Sequence, residues 1–201
     1  SATLERNVHL VVATLDYLSS FTDQFHLPTL ISESHIVKIV ELSLYDGLTG
    51  LFNHITSCEI ISLELKKSIR HGENVSLMIL DIDNFKRIND ESGHLEGDRI
   101  LTHVATCMKA ETRDSDVCCR YGGDEFTILL PFTDLPTAVM VAERIRATIE
   151  SLTTNGHSVT VSIGVASCSG ESHTLDSFMD KADQALYEAK QKGKNRIVAV
   201  A

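Results

Sequence analysis

The seven residues Arg120-Tyr121-Gly122-Gly123-Asp124-Glu125-Phe126 constrain the fold of this chain more than any other stretch. Apolar runs flank them, Val117-Cys118-Cys119 before and Phe126-Thr127-Ile128-Leu129-Leu130 after. Two strands joined by a tight Gly-Gly turn satisfy that pattern, so an antiparallel hairpin is expected over about 116–131. Glycine reaches positive φ without strain and has no side chain to keep a ligand off the backbone. The tip also carries two adjacent acids, Asp124 and Glu125. A cation and a phosphate-bearing substrate could meet there.

Around the hairpin, elements alternate. Apolar spacing predicts a helix over about 53–71, a strand at Val75 to Ile82, and helices at 85–91 and 97–111. Asp134 and Pro136 open a helix running to about 152. A strand at Val159 to Ala166, a helix over 175–191 and a last strand at Ile197 to Val200 follow. From the first strand onward the order is β-α-α-β-β-α-β-α-β. It implies an α/β fold whose central, partly antiparallel sheet is flanked by helices.

Residues 1–44 read as a separate N-terminal helical segment, and 45–201 as the domain proper. Leu4, Val8, Val11, Leu15 and Leu18 alternate spacings of four and three, the rhythm of a coiled-coil seam. Pro28 ends that helix. A second, shorter one is expected near 34–44, capped by Ser32 or Ser34 and with Ile36, Ile39 and Val40 on one face. Two readings stand: an input stalk that joins two chains, or a helical hairpin folded onto its own domain.

The formal net charge of -10 over 201 residues argues against a nucleic-acid partner gripped by phosphate neutralisation. A polyphosphate ligand would need metal ions and a local basic patch. Cys58, Cys107, Cys118, Cys119 and Cys168 match no zinc or redox spacing, and read as reduced, buried thiols of a cytosolic protein. No apolar run reaches the roughly 20 residues of a membrane span. The expected location is the cytoplasm, and because Ser1-Ala2-Thr3 is not a natural start the chain can be the cytoplasmic part of a longer receptor.

Several residues could carry chemistry. Asp81 and Asp83 end the strand at 75–82, and a two-residue period points them to one face. Carboxylates at a strand end suit a hard cation such as magnesium. The helix beginning near Asn84 offers unpaired backbone amides to phosphate oxygens, and Lys86 adds a positive charge. In the plainer reading one Asp caps the helix and the other is solvated. Lys190 and Lys194 lie four apart, on one helix face or at its frayed end; the plainer reading is two solvated lysines at a helix C-terminus. Arg113-Asp114-Ser115-Asp116 lies shortly before the hairpin, where its plainer reading is a surface ion pair.

Together these segments resemble the GGDEF-domain diguanylate cyclases. The stretch Asp81 to Asp98 is similar to the family motif DIDxFKxINDxxGHxxGD at every specified position. Ala182 to Arg196 resembles ADxALYxAKxxGRNR, with Lys194 where Arg is usual. Asp46 to His54 resembles the entry motif DxLTGLxNR, with His54 in place of Arg, and Ser162 to Ala166 matches the core strand SIGVA. The resemblance covers about 44–198.

The resemblance implies a sheet like the palm of nucleotide cyclases and polymerases. It implies two magnesium ions per active site, with manganese as an alternative, held by the side chains of Asp81 and Asp124 and the carbonyl of Ile82. Asn89 and Asp98 would hydrogen-bond guanine, and backbone near Asn84 and Phe85 would meet phosphates. Lys190 and Lys194 would bind the terminal phosphates, beside the glycines Gly122 and Gly123. Glu125 is either a supporting acid or a base. The implied reaction condenses two GTP into cyclic di-GMP with release of two pyrophosphates, in a homodimer that brings two domains face to face. Arg113, Asp116 and Arg144 would form an inhibitory site for the cyclic product. The rivals are a nucleotide-binding module without turnover, an enzyme that also accepts ATP, and a dimerisation scaffold. Both hairpin acids argue against the first, Asp98 against the second, and Asp81, Asn89, Asp98 and Asp124 together against the third.

Overall fold

A computed structural model describes residues 40, 43–151, 153–154, 157–169 and 174–200. The expected seam at 1–27 lies outside the described residues. So does most of the second expected helix, of which Val40, Ser43 and Leu44 are described and helical.

The elements, in chain order, are α1 (His54–His71), β1 (Asn74–Ile82), α2 (Phe85–Ser92), α3 (His94–Glu111), β2 (Val117–Gly122), β3 (Glu125–Pro131), α4 (Leu135–Glu150), β4 (Thr153–Thr154), β5 (His157–Ser158), β6 (Val161–Ser169), α5 (Leu175–Gln191) and β7 (Ile197–Val200). A five-stranded sheet runs in the order β2-β3-β1-β6-β7. Its first four strands pair antiparallel, and β7 joins β6 in parallel. The partly antiparallel sheet flanked by helices is therefore as the sequence predicts.

Local chemistry explains the boundaries. Asn53 caps α1 by accepting from Thr56 N at 3.0 Å, and Asp134 caps α4 by accepting from Thr137 N at 3.0 Å. Three features depart from expectation. Helix α3 starts three residues early, at His94, because Gly93 at φ +83 serves as the joint between α2 and α3. Strand β6 extends to Ser169 because pairing with Asn74 of β1 carries it there. The ribbon β4–β5 was not expected: two residues per strand leave no apolar period to read.

Both faces of the sheet are covered, which is why β1 reads as a continuous apolar run. Met78, Leu80 and Ile82 pack with Ile100 and Val104 of α3 and Ala142 and Ile145 of α4. Val75, Leu77 and Ile79 pack on the other face with Ile61 and Leu65 of α1 and Phe178, Ala182 and Leu186 of α5. At Gly164 helix and sheet almost touch: a Cβ there would stand 2.1 Å from the Ala182 carbonyl oxygen and 2.3 Å from Leu186 N.

Asp46 to Asn53, within the stretch that resembles the entry motif, form a turn. Asp46 Oδ1 accepts from Thr49 N at 2.8 Å and Thr49 Oγ1 at 2.6 Å. Phe52 N donates to Cys118 O at 3.3 Å and Arg120 N to Phe52 O at 2.8 Å, so the turn covers the open edge of β2. No helix among the described residues is long and apolar enough to cross a membrane.

Candidate active site

Strand register brings the acids together. Asp81, near the end of β1, stands opposite Glu125, the first residue of β3. Ile82 N donates to Asp124 O at 3.3 Å. The hairpin differs from expectation in one detail. The pairing of β2 with β3 shifts between Arg120 and Gly122, so Gly122 pairs with Glu125 and the two turn residues are Gly123 and Asp124. Only Gly123 has positive φ, at +52. The irregularity re-aims the tip, as bulges beside functional sites do.

Asp81 is buried and its carboxylate lies 2.9 Å from Lys190 Nζ of α5. Burial pushes its pKa up to about 6; Lys190 pulls against that through hydrogen bond and charge, while Asp124 and Glu125 add to the rise. A buried acid beside two others, incompletely offset by one lysine, is a place that favours a cation. Among the described residues no three His, Cys, Asp or Glu side chains converge to hold a metal alone. The arrangement thus fits a hard ion such as magnesium, which takes one or two carboxylates and completes its shell with water and substrate phosphates. Asp81, Asp124 and the Ile82 carbonyl are the residues that would hold it.

Asp83 lies just past the end of β1, in the turn to α2, and its carboxylate is already engaged. Oδ1 accepts from Ser162 Oγ at 2.7 Å, and Oδ2 from Thr160 Oγ1 at 2.8 Å and Asn195 N at 2.9 Å. It neither caps α2 nor lies in solvent, so the plainer reading of the pair is corrected. Asn84, in the left-handed region at φ +59, precedes α2, and its Oδ1 accepts from Lys194 Nζ at 2.6 Å. Helix α5 stops at Gln191, so Lys194 shares no helix face with Lys190. It sits beyond the helix end, in a left-handed turn. Phe85 and Lys86 open α2, with Lys86 exposed.

Asn89 Oδ1 is buried without a hydrogen-bond donor, against Gly97, where a Cβ would come within 2.0 Å of it. Asp98, the next residue, faces an open cleft of about 360 Å³ lined also by Leu48, Leu95 and Thr102. The close approach of α2 and α3 sets Asn89 against Gly97, the residue before Asp98, while the cleft that Asp98 lines does not include Asn89.

Arg113 and Asp116 lie apart from these groups, in the turn between α3 and β2. Arg113 N donates to Asp116 Oδ2 at 2.8 Å and Asp116 N to Arg113 O at 2.9 Å, which leaves the Arg113 side chain exposed. Arg144 of α4 reaches the same region: its Nε donates to Glu111 Oε2 at 3.1 Å and its Nη2 to Glu111 O at 2.6 Å.

Sequence reasoning gave no role to Arg120, Arg146 or Asn195. Arg120 donates to Gly123 O from Nε at 3.1 Å and Nη2 at 2.7 Å, and to the Asp46 carboxylate at 3.2 Å. It ties the hairpin tip to the entry turn. Burial pushes the Asp46 carboxyl up, but hydrogen bonds from Thr49 and Arg120 outweigh it and leave the pKa below the usual range. His54, where the family has Arg, packs its ring 4.1 Å from that of Tyr121. The signal for Arg120 is its place two residues before Gly122. Arg146 and Asn195 carry no local signal.

Comparison with known proteins agrees with this geometry. The family profile for the diguanylate cyclase GGDEF domain matches residues 43–196. Response regulator PleD of Caulobacter vibrioides is 39% identical over 168 residues, covering 81% of this chain and 37% of that protein. The chain spans between a quarter and a half of the length of the curated relatives it matches. Among solved structures, the GGDEF domain of DgcB from Caulobacter crescentus in complex with c-di-GMP superposes with a TM-score of 0.75 at 31% identity, covering 78% of this chain and 95% of that one. The coiled coil and GGDEF domain of the same protein gives 0.80 at 27% identity, covering 94% and 95%. The chain belongs to the GGDEF domain family.

Proposed function

We propose that this domain is a diguanylate cyclase, which condenses two GTP into cyclic di-GMP and releases two pyrophosphates. The observation that carries the reading is the meeting of Asp81, Asp124 and Glu125 at one sheet end, with Lys190 on Asp81. Asp98 can accept from the N1–H and amine of guanine, and Asn89 is the second residue we assign to the base. The amides at Asn84 and Phe85, with Lys86, Lys190 and Lys194, take the triphosphate, while Gly122 and Gly123 leave room for it. The 3′-hydroxyl of one GTP attacks the α-phosphorus of the other as the bond to pyrophosphate breaks. Divalent cations held by Asp81, Asp124 and the Ile82 carbonyl would activate that hydroxyl and offset charge on the leaving group. Glu125 supports the metal carboxylates or accepts the proton.

One domain holds one GTP, so two must face each other. We assign residues 1–44 to the joining segment. The match to the coiled coil and GGDEF domain of DgcB, which covers 94% of this chain, supports this. We assign feedback by the product to Arg113, Asp116 and Arg144.

Incubation with GTP and magnesium, followed by chromatography, is expected to give cyclic di-GMP and pyrophosphate. Asp124→Asn puts a neutral, poor ligand in place of a carboxylate, and should lower turnover by about a hundredfold or more while the thermal unfolding curve stays in place. Undiminished turnover in that variant would remove Asp124 from its role.

A further inference from the structure

The residues after α5 adopt a backbone that needs holding. Lys194 and Asn195 both lie in the left-handed region, at φ +62 and +46. Side chains disfavour that region, Lys more than Asn, and two such residues in succession persist only when their surroundings fix them. Two groups do so. On one side, Asn195 N donates to Asp83 Oδ2 at 2.9 Å, and Asp83 is 5% exposed. On the other, Arg146 of α4 donates from Nη1 to Asn195 Oδ1 at 2.7 Å. Asn195 Nδ2 donates to Glu150 Oε1 at 2.6 Å, and Arg146 holds Glu150 Oε2 at 2.8 Å. The Arg146 side chain is 14% exposed. The turn held in this way carries Lys194, which donates to Asn84, the left-handed residue before α2.

We propose that Arg146 is a positioning residue: through Asn195 it holds the left-handed turn that places Lys194 and Asn84 for the phosphates of the nucleotide. This inference rests on the reading of the site as a GTP site. In the plainer account Arg146 only pairs along its helix with Glu143 and Glu150, as exposed helices often do. Its contact with Asn195, outside the helix, and the further link to buried Asp83 go beyond that account. They also call for the guanidinium. A planar fork of five N–H groups can serve Glu143, Glu150 and Asn195 together, whereas an ammonium is a compact point charge that cannot.

The test uses the protein as it stands, with Arg146→Met, Arg146→Lys and Asn195→Gly. Hydrogen exchange at the Asn195 amide in ligand-free protein reads the turn directly. In Arg146→Met it should quicken by about tenfold or more while β1 amides keep their rates, a local opening rather than global loss. With GTP, KM should rise about tenfold and kcat change less than about twofold, because ground-state phosphate binding is what suffers. Arg146→Lys should behave like Arg146→Met. Asn195→Gly takes the left-handed turn without strain and keeps the donor to Asp83, so adding Arg146→Met to it should raise KM little further. Unchanged exchange at Asn195, or full rescue by Lys, would overturn the inference. If the wild-type protein neither binds nor converts GTP, the functional reading fails, and the exchange result alone decides whether Arg146 holds the turn.

Discussion

At Gly164 the missing side chain decides how closely α5 lies on the sheet. A Cβ at this position would meet backbone atoms, not the tip of a flexible side chain, so no rotamer change relieves the overlap. Gly164→Ala should force α5 outward and destabilise the domain by about 1–3 kcal/mol. For a domain of this size that is several degrees of melting temperature, at roughly 2–4 °C per kcal/mol. A melting temperature unchanged in calorimetry would mean that helix and sheet yield freely there. Residue chemistry was legible where the signal is local, and not where a partner is distant. The short spacing of Asp81 and Asp83 put two acids at the end of β1. It could not tell that Asp83 is engaged by Ser162 and Asn195, 79 and 112 positions away, while Asp81 is left facing Lys190. Nor could it find Arg146, whose contact with Asn195 spans 49 positions.

Among elements, the hairpin and the capped helices were readable because glycines and capping side chains act within three or four residues. The exact turn was not, since a one-residue irregularity depends on how β2 pairs with β3. The turn from Arg113 to Asp116 is a case where geometry sharpens a prediction. Asp116 closes the turn on the Arg113 backbone, which leaves the Arg113 guanidinium exposed and able to take the N7 and O6 edge of guanine. This turn lies at the foot of the hairpin and the acids at its tip. Arg113→Ala should therefore leave the initial rate near wild type and abolish the slowdown as product accumulates. Calorimetric titration with cyclic di-GMP would check it: equal affinity in both proteins would end the regulatory assignment and leave the catalytic one untouched.

At the scale of the whole molecule, one sheet end can gather the groups for one GTP, and the proposed reaction needs two. The chain carries a formal charge of -10, and GTP adds more negative charge. Two such domains meeting freely in dilute solution work against their own repulsion. A segment that joins two chains replaces that encounter with an effective concentration in the millimolar range, and proximity of this kind removes several kcal/mol from the barrier. The Leu4 to Leu18 rhythm predicts that segment, although it lies outside the described residues. Replacing Val11 and Leu15 with Glu would place charges in the seam, where burial without partners is costly. The expected results are a monomer by light scattering and a rate that grows with the square of protein concentration instead of linearly. Concentrating the variant should recover activity, since its catalytic groups are untouched. An unchanged mass with a linear rate would favour the other reading of the same rhythm, a helical hairpin folded onto its own domain.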